Sequence, residues 1–356
     1  MQTKITKNSG FSNQNFYIGL DVHKKSWYVT ILTDGLELKT FAHPPSAQQL
    51  AEFLNNNYPN GNYFSAYEAG FCGFAAHRQL VKLGIKNIVV NPADIPRMDK
   101  ELAYQTDKSD SRSLARELRN RQLRGIYIFN PSDEEFRALF RYRIAIAKDI
   151  RRTCNRIKGF LFYRSIQLPV RFDNPNWSNS FLDWLENLQL EYVPARFVLC
   201  QMVANFRQLH LKKLEVEMQL RTGAKQKDVQ LYKVLQSVPG IGPITAVALM
   251  SEIGDIGRFK HFKQFASYVG LVPRISQSGE KAHTGKMTYR SNNFLRPLLV
   301  ESAWQSIRSD PAMLAYYKRA CGKTISKKAI IKVARKLLSK IMFVMKQREP
   351  YQNNMK

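Results

Sequence analysis

Residues 16–130 alternate between short apolar runs and amphipathic segments, and this alternation constrains the fold more than any other feature. Five runs have the length and composition of buried strands: FYIGLDV, SWYVTIL, LELKTF, NYFSAYEA and KNIVVN. Three segments have helical patterns: SAQQLAEFLNNN, FCGFAAHRQLVKLG and SRSLARELRNR. Three strands followed by helix, strand, helix, strand and helix form an α/β order. The sequence therefore predicts an α/β domain over residues 16–130.

The two following regions have helical periodicity. In residues 131–225, apolar side chains recur every three or four positions along 133–164 and again along 199–209, with the spacing of a coiled-coil seam. A Pro- and Asn-rich segment, QLPVRFDNPNWSN, separates the two patterns, so we expect a helical hairpin or a dimerising stalk. Residues 226–348 are mostly helical. Their last part, 318–348, has eleven Lys and Arg and no acid, and it is typical of a basic amphipathic helix.

The chain is strongly basic, and this charge indicates a polyanionic partner. Among its 356 residues are 55 Lys and Arg against 28 Asp and Glu, a formal charge of +27. Cations that displace counterions from a phosphate backbone bind nucleic acid strongly, and an ordinary metabolic enzyme needs no such excess. An anionic membrane surface is the competing partner.

Other membrane and compartment signals argue for a cytoplasmic protein. The long chargeless stretch that includes residues 236–251 is broken by Pro and Gly, whereas a spanning helix needs about 20 mostly apolar residues. The first residues contain no apolar signal-peptide core. Four widely separated cysteines without a C-x-x-C pair argue against a zinc ribbon or a disulfide framework.

Four acids occupy positions where strands end or a helix begins. Asp21 ends the first strand, Glu68 ends a later strand, and Asp107 and Asp110 stand three residues apart at a helix start. If the fold gathers them, their carboxylates suit hard divalent cations, and a metal pair can assist phosphoryl transfer. Each acid alone is equally compatible with a helix cap or a solvated side chain.

Two segments of the C-terminal half have features of nucleic-acid binding. The P-G-I-G turn at Gly240 and Gly242 leaves amides free at a helix start, where they can hold a phosphate, although an ordinary tight turn also fits. The loop 273–291 places two serines, Ser276 and Ser278, among the cationic residues Arg274, Lys281, His283, Lys286 and Arg290. Such a serine is either solvated or a nucleophile for a phosphodiester.

The helix predicted over 133–164 carries a third basic surface. Its cations are opposed in the local sequence only by Asp149: Arg141, Arg143, Lys148, Arg151, Arg152, Arg156, Lys158 and Arg164. Aromatic residues are interleaved with them. The excess of positive charge favours a surface that binds along a nucleic-acid backbone over a merely solvated helix face. We expect this surface to be centred on Arg151, Arg152 and Arg156.

The motifs YIGLDVHK, YEAG and TDKSDSRSLA resemble the N-terminal domain of the DEDD insertion-sequence transposases. These are the bridge-RNA-guided serine recombinases of insertion-sequence family one-ten, relatives of the Piv invertase. Residues 240–303 are similar to the C-terminal transposase domain of that family. The resemblance implies a RuvC-like, ribonuclease-H-like domain at 16–130 and a helical transposase domain with a helix-hairpin-helix-like turn at 226–348. Between them, the apolar seams and the basic helix predict a helical coiled-coil region for dimerisation and nucleic-acid binding at 131–225.

The resemblance also implies the chemistry of the site. Asp21, Glu68, Asp107 and Asp110 correspond to the four acids that bind Mg²⁺, for which Mn²⁺ is a plausible substitute. His23 and Lys24 follow the first acid and are expected to support it, with Lys24 contacting phosphate. The family nucleophile lies in a Ser-Ser-Gly-Gly-Lys-like loop. Here the loop reads Ser-Gln-Ser-Gly-Glu-Lys, so Ser278 matches best and Ser276 is the reserve.

The expected function is a DNA recombinase or transposase that attaches a serine to a DNA strand. The resemblance implies donor and target double-stranded DNA, a structured guide RNA, a dimer that assembles into a tetramer with composite sites, and residence in the cytoplasm at the nucleoid. Two alternatives remain. A RuvC-like junction nuclease would cut with activated water and form no protein–DNA adduct, and a non-catalytic nucleic-acid-binding protein would need only the positive charge.

Overall fold

A computed structural model describes residues 11–96, 106–174, 176–278 and 281–352, and it leaves out the side chains of 275–278, 281–284 and 286. The chain divides into two compact units, Met1–Ile128 and Phe129–Lys356, which are described separately. The first unit coincides closely with the predicted α/β region. The further division of the second unit at residue 225 stays a prediction.

The first unit is built on a five-stranded mixed sheet. Its strands are β1 (Asn15–Val22), β2 (Trp27–Leu32), β3 (Glu37–His43), β4 (Asn62–Glu68) and β5 (Lys86–Val90), in the order β3-β2-β1-β4-β5. The first three pair antiparallel, while β4 runs parallel to both β1 and β5. All five strands lie where the apolar runs of the sequence predict them.

Helices cover both faces of this sheet. They are α1 (Ala47–Asn57), α2 (Ala75–Lys82) and α3 (Asp107–Arg119), with a short 3-10 helix at Pro92–Asp94. Because side chains alternate across a strand, Ile18 and Leu20 pack with α1 and α2, whereas Tyr17 packs on the opposite face with α3. The acids at the strand ends therefore lie at the edge of a three-layer structure.

The second unit begins with a pair of long helices. Its first elements are α4 (Pro131–Tyr163), a 3-10 helix at Val170–Phe172, α5 (Asn179–Glu186) and α6 (Val193–Gln236). Residues of both predicted seams, among them Ile157, Leu199 and Phe206, share one buried cluster, so α4 and α6 pack against each other within the chain. Helix α6 continues past residue 225, with non-helical backbone at Asp228.

The remaining elements form a mostly helical core. They are α7 (Pro243–Ile253), a 3-10 helix at Ile256–Arg258, α8 (Phe262–Val269), β6 (Pro273–Ser278), β7 (Lys281–Met287), α9 (Leu295–Ser309), α10 (Pro311–Cys321) and α11 (Ser326–Gln347). The apolar face of the basic helix α11 is buried against α9, α10 and α6 through residues such as Ile330, Leu337 and Ile341. This face is thus covered by the chain itself. In the described ranges, no helix is long and apolar enough to cross a bilayer.

The segment expected as a loop at 273–291 is largely an antiparallel hairpin. Strands β6 and β7 pair with Ser276 opposite His283 and Ser278 opposite Lys281. The segment has too few apolar residues to indicate strands by periodicity. The signal that could have found the hairpin is the pair Gly279-Glu280 between two short runs, because two-residue connections containing glycine favour hairpins.

Candidate active site

Strand pairing brings the first two acids together at one edge of the sheet. The parallel register of β1 and β4 places Leu20 beside Tyr67. Asp21 and Glu68 come directly after this pair on the two strands. The carboxyl ends of parallel strands meet at the same sheet edge, so these two acids are neighbours because of the sheet topology.

A close approach of helix α3 to the sheet brings in the other two acids. A Cβ atom on Gly19 of β1 would lie 1.9 Å from the Ser111 carbonyl oxygen and 2.5 Å from the Ala115 nitrogen, so only glycine permits this contact. The buried Ser111 hydroxyl also hydrogen-bonds to Thr30 of β2 at 2.9 Å. These contacts hold the first turn of α3 over the end of β1.

That first turn has its own local stabilisation. Thr106 caps α3, its side chain accepting from the Ser109 N–H, while the Ser109 hydroxyl accepts from the Thr106 N–H. Asp107 and Asp110 lie in this turn, where negative charge is favoured by the helix dipole. Thr106 and Ser109 cap the helix, so the carboxylates of Asp107 and Asp110 are not needed as caps and are available as metal ligands.

Asp21, His23 and Asp107 form the tightest part of the site. The His23 Nε2 atom lies 3.1 Å from an Asp21 oxygen and 3.7 Å from an Asp107 oxygen. One ligand atom from each of the three residues lies within 4.8 Å of the others, which is close enough for one shared cation. We call Asp21, Glu68, Asp107 and Asp110 the acidic group.

The electrostatics of Asp21 reflect this crowding. Burial raises the pKa of its carboxyl, the nearby His23 ring lowers that pKa, and the charges of Asp107 and Asp110 raise it again. The ionised carboxylates therefore repel one another, and within the described part of the chain His23 is the basic side chain that pairs with Asp21 and Asp107. Clustered carboxylate oxygens with one imidazole are a donor set that fits a divalent cation.

The comparisons with known proteins agree with this geometry. A family model described as "Transposase IS116/IS110/IS902 family" matches residues 232–318, and the DEDD transposase model of IS110 elements matches residues 18–163. The chain is 29% identical over 360 residues to the protein y4rJ of Sinorhizobium fredii, covering 90% of this chain and 89% of the relative. It is 28% identical over 297 residues to the transposase for insertion sequence element IS1533 of Leptospira borgpetersenii, covering 81% and 84%.

The chain belongs to the IS110 family of DEDD transposases. It is therefore a DNA transposase, and the non-catalytic alternative is set aside. The DEDD domain implies a ribonuclease-H-like fold, with which the five-stranded mixed sheet agrees. The family also indicates dependence on a divalent metal, and Asp21, His23 and Asp107 form a cluster that could hold one.

His23 is the residue of this transposase site that the sequence undervalued, since it was expected only to support the acids. It lies two positions after Asp21, just beyond the end of β1. Residues two apart at a strand end point to the same side, and this spacing is the signal that could have placed His23 among the ligands. Lys24 is exposed in the adjoining turn between β1 and β2.

The basic face of α4 in the transposase is shorter than the sequence indicates. Arg151, Arg152 and Arg156 are exposed, as a nucleic-acid surface requires. Arg141 and Arg143 are instead paired with Glu252 and Glu217 from other helices, so Asp149 is not the only acid that opposes these cations. Local sequence could not reveal these partners, because both lie more than 70 positions away.

Glu252 of α7 is a fully buried acid of the second unit with several partners. Its side chain has no solvent exposure, and it accepts hydrogen bonds from Arg137 at 3.0 Å, Arg141 at 2.7 Å and Asn292 at 2.9 Å. Burial alone would raise the pKa of Glu252, but these partners together hold it below the ordinary value. We call these residues the Glu252 cluster, and its complete pairing indicates a structural role.

The two glycines of the P-G-I-G turn have different surroundings. Gly240 has a φ of +87°, and a Cβ there would lie 2.3 Å from the Ser302 carbonyl oxygen on α9. Gly242 caps α7, and a Cβ there would meet nothing within 4 Å. Gly240 thus has a packing role in the transposase, while the open side of Gly242 leaves the predicted phosphate contact as an expectation.

The predicted nucleophile lies in the hairpin. Ser278 is the last residue of β6, Ser276 lies two residues before it, and Lys281 and Lys286 belong to β7, but the side chains of these four residues are outside the description. Arg274 and Arg290 are exposed. The guanidinium carbon of Arg274 lies 5.7 Å from the centre of the Tyr289 ring.

Proposed function

We propose that the protein cuts and rejoins the DNA of its insertion sequence through a serine–DNA phosphodiester, with Mg²⁺ held by Asp21, Glu68, Asp107 and Asp110. The observation that supports this most is the cluster of Asp21, His23 and Asp107. Glu68 lies at the end of the neighbouring strand β4, and Asp110 lies in the same helix turn as Asp107. Mn²⁺ would substitute, because its preference for oxygen and imidazole ligands is similar. When bound, the metal would stabilise negative charge that develops on the phosphate.

In the proposed reaction, the Ser278 hydroxyl attacks a phosphodiester of one DNA strand. A bond forms between the serine Oγ and phosphorus, the bond from phosphorus to one strand oxygen breaks, and the hydroxyl proton ends on the departing strand. One phosphoester linkage is exchanged for another, so the reverse attack by a DNA hydroxyl rejoins strands without an added energy source. Exposed cations near the hairpin, such as Arg274 and Arg290, support binding of the DNA backbone.

The proposal extends to assembly and guidance. The acids of one subunit face the serine of another, in a dimer that assembles into a tetramer. A structured guide RNA pairs with donor and target DNA, which leaves backbone binding to exposed cations such as Arg151, Arg152 and Arg156. The protein acts in the cytoplasm at the nucleoid, and its working regions are 16–130, 131–225 and 226–348.

The experiment is a search for a protein–DNA adduct with the element's own end sequences. Wild-type protein and the variants Ser278→Ala and Ser276→Ala are incubated with end-labelled DNA, guide RNA and Mg²⁺, then separated on denaturing gels with and without protease. We expect a protease-sensitive adduct from the wild type and from Ser276→Ala, and none from Ser278→Ala. An adduct that persists in Ser278→Ala would exclude this residue as the nucleophile.

A second candidate is a metal-dependent junction nuclease that uses water. The observation that favours it is that the acidic group lies wholly within the first unit, whereas Ser278 belongs to the second. A nuclease of this kind would cut DNA in the same assay and leave no adduct in any variant. Cleavage without an adduct, unchanged in Ser278→Ala, would favour this function over the serine mechanism.

A further inference from the structure

Phe71 is a large apolar side chain that the first unit leaves in solvent beside the acidic group. It lies three residues after Glu68, between β4 and α2, and 77% of its surface is exposed. Its neighbours Cys72 and Phe74 pack against the hydrophobic core. In this short segment, the side chains of Ala69, Cys72 and Phe74 are half-buried, whereas the ring of Phe71 is exposed to solvent.

The backbone around Phe71 is held in place. The Tyr67 hydroxyl donates to the Gly73 carbonyl oxygen at 2.9 Å, and the Cys72 thiol donates to the Glu68 carbonyl oxygen at 3.9 Å. The His77 N–H in turn donates to the Tyr67 hydroxyl at 3.3 Å. Exposure of the ring is therefore a property of an anchored turn, which follows directly from the strand end that carries Glu68.

The ring borders the residues expected to hold the cation. Its centre lies 6.3 Å from the centre of the His23 ring, with the two planes inclined by 33°. His23 in turn lies 3.1 Å from Asp21. A single exposed ring is ordinary on a protein surface, but a ring at the rim of a cation site can stack on a base there. A neutral aromatic face suits a nucleobase, because an acidic edge would repel phosphates that no cation neutralises.

We propose that Phe71 is a nucleobase-stacking residue that holds a base adjacent to the phosphodiester being cut. This inference rests on the proposed function, since it takes the acidic group as the place of cleavage. Stacking on an aromatic side chain tolerates every base, because each base has a π-face. The ring positions the strand without reading its sequence. This suits the proposed function, in which base pairing with a guide RNA selects the target.

The test is photo-crosslinking with DNA that has a short unpaired thymine segment containing one 5-iodouracil. Full-length protein is irradiated with this DNA in Ca²⁺, and the modified peptide is identified by mass spectrometry. We expect the wild type and Phe71→Trp to crosslink at position 71, and Phe71→Ala to lose this adduct. Leu36→Ala is the matched control, because Leu36 is 68% exposed in the turn between β2 and β3 of the same unit.

Affinity and kinetics provide a second measurement. Phe71→Ala should bind the same DNA about tenfold more weakly, as expected for the loss of one stacked base, with Phe71→Trp restoring the affinity. The loss should appear in KM more than in kcat, which a merely structural defect would not produce. Equal affinity and equal crosslinking in Phe71→Ala and wild type would overturn the proposal.

The variant Glu68→Gln separates this inference from the proposed function. If both are correct, Glu68→Gln loses metal-dependent cleavage and still crosslinks at Phe71. If Glu68→Gln cleaves as the wild type does, the proposed metal site is wrong, whatever the crosslink shows. If Glu68→Gln is inactive but Phe71→Ala crosslinks normally, only the stacking proposal fails.

Discussion

The two units differ in how their partly or fully buried acidic side chains are paired with cations. In the second unit, the fully buried Glu252 is matched by Arg137, Arg141 and the Asn292 amide. In the first unit, Asp21 and Asp107 crowd together, and among the residues that the structure describes their cationic partner is His23 alone. The balance of charge, rather than the presence of acids, distinguishes a structural cluster from a functional one.

This difference explains the opposite pKa shifts. The pKa of Asp21 is raised, mainly by burial, despite His23 and with the help of two neighbouring acids. The pKa of Glu252 is lowered although burial acts against ionisation, because its arginine partners outweigh burial. A protein that leaves repelling carboxylates together in one place has a site that an external cation can stabilise.

The largest expected effect is on catalysis, from removal of one acid in the first unit. Asp21→Asn should reduce DNA strand cleavage by at least about 1,000-fold, since loss of a metal ligand removes several kcal/mol of charge stabilisation in the transition state. Cleavage is measured with labelled element ends. Asp34→Asn is the control, because Asp34 is an exposed acid of the same unit. Comparable rates for Asp21→Asn and wild type would show that the acidic group is not the catalytic site.

The second effect is on stability, from the corresponding change in the second unit. Glu252→Gln leaves two partly exposed arginines without their anion and should destabilise that unit by about 2–3 kcal/mol, less than the loss of one partner from a fully buried pair. Chemical denaturation followed by fluorescence measures the change, and the exposed Glu301→Gln serves as control. A loss below about 1 kcal/mol would mean that the Glu252 cluster is not structural, and the contrast between the two units would break down.

The third effect links fold and site within the first unit. Gly19→Ala places a Cβ against the backbone of α3 and should cost about 1–3 kcal/mol, because the helix must move away. Since α3 carries Asp107 and Asp110, affinity for Mn²⁺ measured by titration calorimetry should fall as well. Gly35→Ala is the control, as a Cβ there meets nothing within 4 Å. Unchanged metal affinity in a folded Gly19→Ala protein would separate the helix contact from the site.

The smallest effect concerns Asp228. Its pairing is intermediate between that of Asp21 and that of Glu252, since its partner is a single arginine, Arg348. Burial would raise its pKa, but a bond from the Leu231 N–H and the pairing with Arg348 hold it below the ordinary value. Its contribution is therefore present above the ordinary pKa of about 3.9 and is lost as pH falls through the folded value.

Because Asp228 is partly exposed, Asp228→Asn should cost only about 0.5–1 kcal/mol at pH 7. The difference from wild type should shrink as the pH approaches 3. Denaturation curves of both proteins across this range provide the measurement. A difference that grows on acidification would contradict the sign of the pKa shift.

Much of the first unit was predictable from sequence. The strands of the sheet have strong apolar patterns, and Asp21 and Glu68 could be placed because both lie at the ends of such strands. The direct pairing of β1 with β4 was not predictable, because β2 and β3 lie between these two strands in the sequence. Only the resemblance of YIGLDVHK and YEAG to the transposase family indicated that Asp21 and Glu68 belong to one site.

Contacts between distant segments account for what the sequence missed. Glu252 meets Arg137 and Arg141 only after α4 and α7 pack, so its role has no local signal. Gly19 gives no hint in sequence of the helix that lies against it. The hairpin containing Ser278 has weak apolar periodicity, and its interpretation as a loop was reasonable on local pattern alone.

The account depends most on the acidic group being a cation site. The direct measurement is anomalous X-ray diffraction from crystals of the full-length protein grown with Mn²⁺. The account predicts an anomalous peak within bonding distance of Asp21 and Asp107, and its disappearance in Asp21→Asn crystals grown in the same way. A well-ordered site with no peak there, or a peak only elsewhere in the molecule, would contradict it.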